Sequence, residues 1–320
     1  MSSSKKNIAS KLGKILIPIL VMILIIYQAK SIFSEIDLKQ VVNIMKGISP
    51  HYLTIFLIIA VVAIICLCSY DLVLMDYYDY KVRITTTLRI SWIAVSFNNI
   101  MGFGGLTGAS LRTYLFNKEG IKTKDMINYN MILVPSSIIG LSLLAFLSIF
   151  NIFDTYALLD VYKWLWLAIL AFCFFIPIYF FLGKFQWLND KLKRFNLYFE
   201  GSVSVKLKLT IFSVLDWLSR GLLMYAIARC FNGNVTYLSI LGVDIIGSVA
   251  GLISFIPSGV GSYDIIALMA LQNLGFTANT GLSIILLFRI YYFIIPWIIG
   301  GILWIITLIK NAITTKSNRA

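Results

Sequence analysis

Seven charged side chains stand inside or at the ends of apolar runs: Asp71, Arg112, Asp216, Arg220, Asp244, Asp264 and Arg289. Each costs about 2.5–3.5 kcal/mol at the middle of a bilayer on insertion scales, so each needs a partner or water. Two carboxylates and an arginine suit a substrate that carries both an amine and a phosphate. Arginine meets phosphate with several donors in a fixed fork, and carboxylates answer a cationic head. Asp71, in CSYDLVL, has no cation within a helical turn. Asp71 and Asp216 fall in the same half of their runs and Arg112 ends a broken one, so these three are expected to meet in one inward-facing cavity. Asp264 and Arg289 are the corresponding set in the second half of the chain. Asp216 and Arg220 are four residues apart and can pair on one helix. Asp244, before IIGS, has no assigned role. A proton relay or plain structural pairing would use the same residue types, and the types alone do not choose.

Other chemistry-bearing residues are sparse. Cys66, Cys68, Cys173 and Cys230 all lie in apolar runs, which argues against a disulfide framework and a zinc site. The single histidine, His51, sits at an expected interface. No metal and no cofactor are expected.

The elements that must hold the charges are membrane spans. The chain has 320 residues, is 59% hydrophobic and carries a net charge of +13. That load excludes an ordinary soluble domain. The basic excess reads as inner loops touching anionic lipid heads, not as a nucleic-acid surface. Full spans are expected at Ile15–Gln28, Tyr52–Leu74, Ile127–Phe150, Trp164–Leu182, Leu209–Cys230 and Leu282–Ile309. Lys5–Lys14 followed by Ile15–Tyr27 resembles a signal peptide without a cleavage site, so it reads as a retained first span. The polar stretches Lys30–His51 and Lys184–Lys208 read as loops.

Two further apolar regions are interrupted. Ile84–Phe116 breaks at MGFGGLTGASLR, with Gly102, Gly104, Gly105 and Gly108. Val235–Leu274 breaks at FIPSGVGSYD, with Pro257, Gly259 and Gly261. Glycine lets a chain turn and lets a ligand approach, and freed amides at a half-helix start suit an anion. Gly104 and Gly108 also form a GxxxG contact motif, so packing is the competing reading.

Lysine and arginine set the orientation. With the N-terminus inside, only Lys30, Lys39, Lys46 and Lys163 fall in outside loops, and the C-terminus is also inside. The first broken region then has both ends inside and the second both ends outside. The expectation is an all-α polytopic membrane protein with about six full spans plus two oppositely oriented broken or re-entrant hairpins. They form an inverted repeat over roughly 52–150 and 209–309. Such repeats with Gly/Pro breaks at matching places are the sequence mark of alternating-access transporters. SFNNIMGF at Ser96–Phe103 and SVAGLISF at Ser248–Phe255 echo each other just before each break.

The motifs SYDLVL, FNNIMGFGGLTGASLR, VLDWL, LISFIPSGVGSYDIIAL and LLFRIYYFIIP resemble the membrane half of the multiple peptide resistance factor family. These are the bacterial lysylphosphatidylglycerol synthase/flippases. The resemblance runs over roughly residues 10 to 310 with the motifs in order. It implies a multi-pass protein of the bacterial plasma membrane. Members make aminoacylated phosphatidylglycerol and move it to the outer leaflet, where the lysine repels cationic antimicrobial peptides. The family's functional acid, arginine and second acid fall on Asp71, Arg112 and Asp216. Two departures are visible: Asp216 stands where glutamate is common, and PSGVG replaces a double glycine after proline.

Bifunctional members add a soluble acyltransferase-like domain that uses aminoacyl-tRNA. Here a single integral-membrane domain over residues 1–320 is expected, ending in KNAITTKSNRA, with no soluble catalytic domain and no nucleic acid bound by this chain. The resemblance therefore implies a flippase for lysylphosphatidylglycerol or a related polar lipid, with anionic or aminoacylated phosphatidylglycerol as its lipid partner. The alternatives are a phosphatidylglycerol lysyltransferase, alone or with a partner subunit, and a membrane scaffold that recruits a separate synthase. The family also implies a homodimer.

Overall fold

A backbone in hydrocarbon must satisfy its own hydrogen bonds, so the apolar runs become helices. The computed structural model describes residues 36–102, 105–181, 190 and 202–317, with side chains to 309. Among the described residues, five helices are long and apolar enough to cross a membrane: Pro50–Tyr77, Thr123–Ser148, Trp164–Phe181, Val203–Arg229 and Ala278–Ile309. The expected span Ile15–Gln28 lies outside the described residues.

In chain order the helices are α1 (Leu38–Lys46), α2 (Pro50–Tyr77), α3 (Ile84–Met101), α4 (Leu106–Lys118), α5 (Thr123–Ser148) and α6 (Tyr156–Val161). They continue as α7 (Trp164–Phe181), α8 (Val203–Arg229), α9 (Tyr237–Ile253), α10 (Ser262–Asn273), α11 (Ala278–Arg289) and α12 (Ile295–Ser317). A 3-10 turn, Pro257–Gly259, sits in the second break, and a π turn, Ile290–Ile294, joins α11 to α12. Pro296 follows that π turn and has no amide to donate, which favours a local change of helical pitch.

One expectation is corrected here. The polar stretch Lys30–His51 is not wholly a loop: α1 occupies Leu38–Lys46, capped by Asp37, whose carboxylate accepts from the amide of Lys39 at 2.8 Å. The helix ties down through Asn279, whose Oδ1 accepts from the Asp37 amide at 2.8 Å. Local sequence gave it a cap but no length of apolar run. In the other polar stretch, α8 begins at Val203, and most of the remainder lies outside the described residues.

The order long helix, arm, break, arm, long helix occurs twice. In the first set, α3 and α4 form a hairpin between α2 and α5. The amide of Gly108 on α4 donates to Asn98 Oδ1 on α3 at 3.2 Å, and Arg89 near the start of α3 meets Glu119 after α4 at 4.0 Å. The hairpin therefore returns to the end it left. In the second set, α9 and α10 form a hairpin between α8 and α11–α12, with Gly247 and Gly251 against Tyr263. Its ends lie with the α5–α6 connection, where Ser239 donates to Asp154 Oδ2 and Gly242 packs on Phe153. Because α5 runs from the first end to the second, the two hairpins enter from opposite ends.

The long helices pack closely. A Cβ on Gly140 of α5 would lie 2.5 Å from the backbone of Ser213 on α8. The Gly140 amide instead donates to Ser213 Oγ at 2.8 Å. Small residues give such crossings where hydrophobic collapse supplies little drive between helices. Trp92 Nε1 on α3 donates to the carbonyl of Pro296 on α12 at 3.1 Å, which fixes the first hairpin against the last helix.

Candidate functional site

The two breaks meet. Met101 ends α3, and Gly102 turns the chain with φ +64°. A Cβ on Gly102 would lie 2.7 Å from the amide nitrogen of Ser258 and 2.8 Å from Pro257 Cα. Ser258 donates its hydroxyl hydrogen to the carbonyls of Asn99 and Ile100, which the end of a helix leaves without intrahelical partners. Phe255 and Ser258 are both held at left-handed φ, 53° and 58°, so the second tip stores backbone strain. The echo segments, described over 96–102 and 248–255, run into these two tips.

The other break residues serve the turns and the packing. Gly105, φ +89°, starts α4 against Val134. Gly108 packs on α3 and also leaves room for Arg112, whose Nη1 lies 2.9 Å from where a Cβ would be. Gly259 and Gly261 have φ of +62° and +86° and shape the start of α10. Gly104 lies outside the described residues.

Three ion pairs, the first buried on both sides and the other two partly buried, tie a hairpin arm to a long helix. In the first, Arg112 Nε on α4 donates to both oxygens of Asp71 on α2, at 2.9 and 3.0 Å. Tyr129 on α5 adds its hydroxyl to Asp71 Oδ1 at 2.6 Å. Asp71 is fully buried and Arg112 nearly so. Such a pair needs these extra hydrogen bonds, because desolvation otherwise offsets the attraction.

The second pair is in the second hairpin. Arg289 Nε on α11 donates to Asp264 Oδ1 on α10 at 2.6 Å. Asp264 Oδ2 accepts the amide of Gly261 at 2.8 Å, an acid at the first turn of its helix. Arg289 Nη1 also donates to the carbonyl of Ser258 at 3.3 Å. This pair is therefore linked through Ser258 to the tip of the first hairpin.

The third pair corrects the sequence reading. Arg220 does not pair with Asp216. Its Nη2 donates to Asp244 Oδ1 on α9 at 2.9 Å and to Ser248 Oγ at 3.0 Å. Asp244 also accepts from Tyr263 at 2.8 Å. Asp216 instead accepts from Tyr292 at 3.4 Å. Both i,i+4 geometry and a cross-helix partner were open to Arg220, and the fully buried Asp244 needs the cation more.

The expected trio is thus only partly assembled: Asp71 and Arg112 touch, while Asp216 belongs to the neighbouring cluster under α11. Asp264 and Arg289 touch as a pair. Spacing missed Tyr129, Tyr263, Tyr292, Ser258 and Asp244. Asp244 carried a signal, since a lone acid in an apolar run requires a partner, but sequence distance could not name it. A separate groove of about 750 Å³ opens between α4 and α5, lined by Ala109, Thr113, Asn130, Val134 and their neighbours. None of the five candidate charged residues lines it. Among the described residues, no group of three or more His, Cys, Asp or Glu side chains is placed to hold a metal ion.

The lysylphosphatidylglycerol synthase TM region family matches residues 15–300. A phosphatidylglycerol lysyltransferase of Bacillus subtilis (strain 168) is 29% identical over 309 residues, 92% of this chain and 34% of that protein. Those of Staphylococcus aureus (strain MSSA476) and Staphylococcus haemolyticus (strain JCSC1435) are 27% and 26% identical, each over 95% of this chain and 35% of the relative. The chain spans about a third of the length of these relatives. With the family model spanning both sets of helices and both breaks, the chain belongs to the lysylphosphatidylglycerol synthase transmembrane-region family.

Proposed function

We propose that the chain is a lipid translocase that moves lysylphosphatidylglycerol, or a related polar lipid, to the outer leaflet and so contributes to resistance to cationic antimicrobial peptides. The observation that carries this reading is the tip-to-tip contact of two opposed broken hairpins at Ser258. Backbone that leaves the helix at membrane depth belongs where protein or a cavity covers it. Opposed half-helices at matching places suit a site exposed in turn to each face. Arg112 and Arg289 supply donors for a lipid phosphate, and Asp71, Asp216 and Asp264 supply charge for an amine. Family membership supports a bacterial plasma-membrane location, and the lysine and arginine bias favours both termini inside.

In this mechanism each ion pair locks one arm to a long helix. A headgroup that engages one partner weakens the lock, and the tips separate. A ligand shifts such an equilibrium only by its differential affinity for the two states, so the headgroup must prefer the unlocked arm.

The activity named for the relatives favours a second reading, phosphatidylglycerol lysyltransferase, alone or with a partner subunit. Either reading admits a homodimer. One experiment separates them. In a strain without lysyl lipid, the chain is expressed with and without a separate synthase domain, and total and outer-leaflet lysylphosphatidylglycerol are measured. Translocation predicts lipid only with the synthase and exposure only with this chain. Lipid made by this chain alone overturns it.

A further inference from the structure

Arg220 stands in an aromatic cage. Its guanidinium carbon lies 4.7 Å from the ring centre of Trp217, 5.4 Å from Tyr263, and 5.3 Å from both Phe288 and Tyr292. Phe288 stacks on Tyr292 at 5.5 Å and on Tyr263 at 6.1 Å, so three of the four walls form one stack. Cages of this kind are how proteins hold organic ammonium groups.

The charges in the cage do not balance. Asp216 and Asp244 are both buried, and Arg220 is the cation between them. Among the described residues Asp216 has no cation within 4.0 Å and accepts only the 3.4 Å hydrogen bond from Tyr292. Asp244 is fully buried, yet its Oδ2 has no hydrogen-bond partner. Arg220 Nε has none either, so the guanidinium uses its fork poorly. A buried carboxylate without full pairing is costly, and a second monovalent cation would offset that cost.

We propose that Asp216, Asp244 and the rings of Trp217, Tyr263 and Tyr292 form a subsite for a primary ammonium on a lipid headgroup, with Arg220 as the internal cation that fills it in the resting state. The proposal rests on the translocase reading and names the part of the headgroup that this region takes. An entering ammonium pairs with Asp216 and Asp244 and displaces Arg220 from Asp244. That removes the ion pair between α8 and α9, the first arm of the second hairpin, and leaves Tyr237 on Leu218 as the hydrogen bond between them. The aminoacyl end of the lipid is thereby read at a different place from its phosphate.

The test uses the full chain in nanodiscs, with bound lipid counted by native mass spectrometry and the unfolding midpoint recorded. The parent is expected to bind lysylphosphatidylglycerol about tenfold more tightly than phosphatidylglycerol. Asp244→Asn and Asp216→Asn are expected to lose most of that preference, and Asp216→Glu to keep it. Lysine methyl ester competes, and sodium chloride at equal ionic strength does not. Should an Asn variant fail to fold, Tyr292→Phe, which removes only the hydroxyl on Asp216, still lowers the preference. The proposal is overturned if the folded variants keep the preference, if the parent binds the two lipids alike, or if sodium competes as well as the ester. Preference without transbilayer movement in liposomes contradicts the translocase and leaves the subsite standing; movement without preference does the reverse.

Discussion

The Cβ that Gly102 lacks would sit 2.7 Å from the amide nitrogen of Ser258, so the end of the first hairpin and the turn of the second are in backbone contact across 156 residues of chain. Neither atom belongs to a flexible side chain that can step aside. Gly102→Ala adds a methyl at φ +64° and must push the tips apart. It is expected to lower stability by about 2–3 kcal/mol and to reduce outer-leaflet lipid strongly. Unfolding in detergent and leaflet labelling, run on the same variant, check both effects.

Asp71 and Arg112 should behave as one unit. Asp71→Asn leaves a buried guanidinium without its charge partner, which costs about 3–5 kcal/mol. Arg112→Gln should cost a similar amount, and the double variant much less than the sum. A double-mutant cycle on unfolding free energy measures the coupling; additive losses would mean that the two act separately.

The second hairpin offers a graded pair of changes. Tyr263→Phe removes one hydrogen bond to Asp244 and is expected to cost about 1 kcal/mol. Arg220→Lys keeps the charge but loses the guanidinium's contacts with the four rings and the two bonds from Nη2, and should cost more. Equal losses from the two would mean that the cage contributes little.

Much of this arrangement was legible in the sequence, and the reasons are local. Length and apolarity place the long helices, because a backbone in lipid has no alternative to helix. The lysine and arginine bias led to a hairpin or a pair of short helices at each break, and the contacts of Gly108 with Asn98 and of Gly251 with Tyr263 fold each break as two short helices packed side by side. Pairing was less legible. Arg220 had an acid four residues away and took one 24 residues away instead. The i,i+4 rule describes an isolated helix, whereas here a fully buried carboxylate on the next helix competed for the cation. Helix α1 was missed because nine residues with apolar and polar side chains interleaved are too short and too mixed to carry a membrane signal. The meeting of Gly102 and Ser258 had no sequence signal at all, since it depends on how two opposed hairpins dock.

The crossing of α5 and α8 is a control outside the charged clusters. Gly140→Ala places a methyl 2.5 Å from the Ser213 backbone and blocks the bond from the Gly140 amide. Overpacking of this kind costs about 1–3 kcal/mol. Stability should fall while the lipid preference of the folded fraction is kept, and thermal unfolding with lipid counting separates the two.

The central claim is that the hairpin tips must part for lipid to cross. The direct measurement joins them: Asn99→Cys and Ser258→Cys, in a background with Cys66, Cys68, Cys173 and Cys230 replaced, in cells that make lysylphosphatidylglycerol. Ser258 already bonds to the Asn99 carbonyl, so the two positions are adjacent. Outer-leaflet lipid is read with an impermeant amine reagent before and after reduction. The account predicts that exposure stops when the disulfide forms and returns when it is reduced. Undiminished exposure with the tips cross-linked would contradict it.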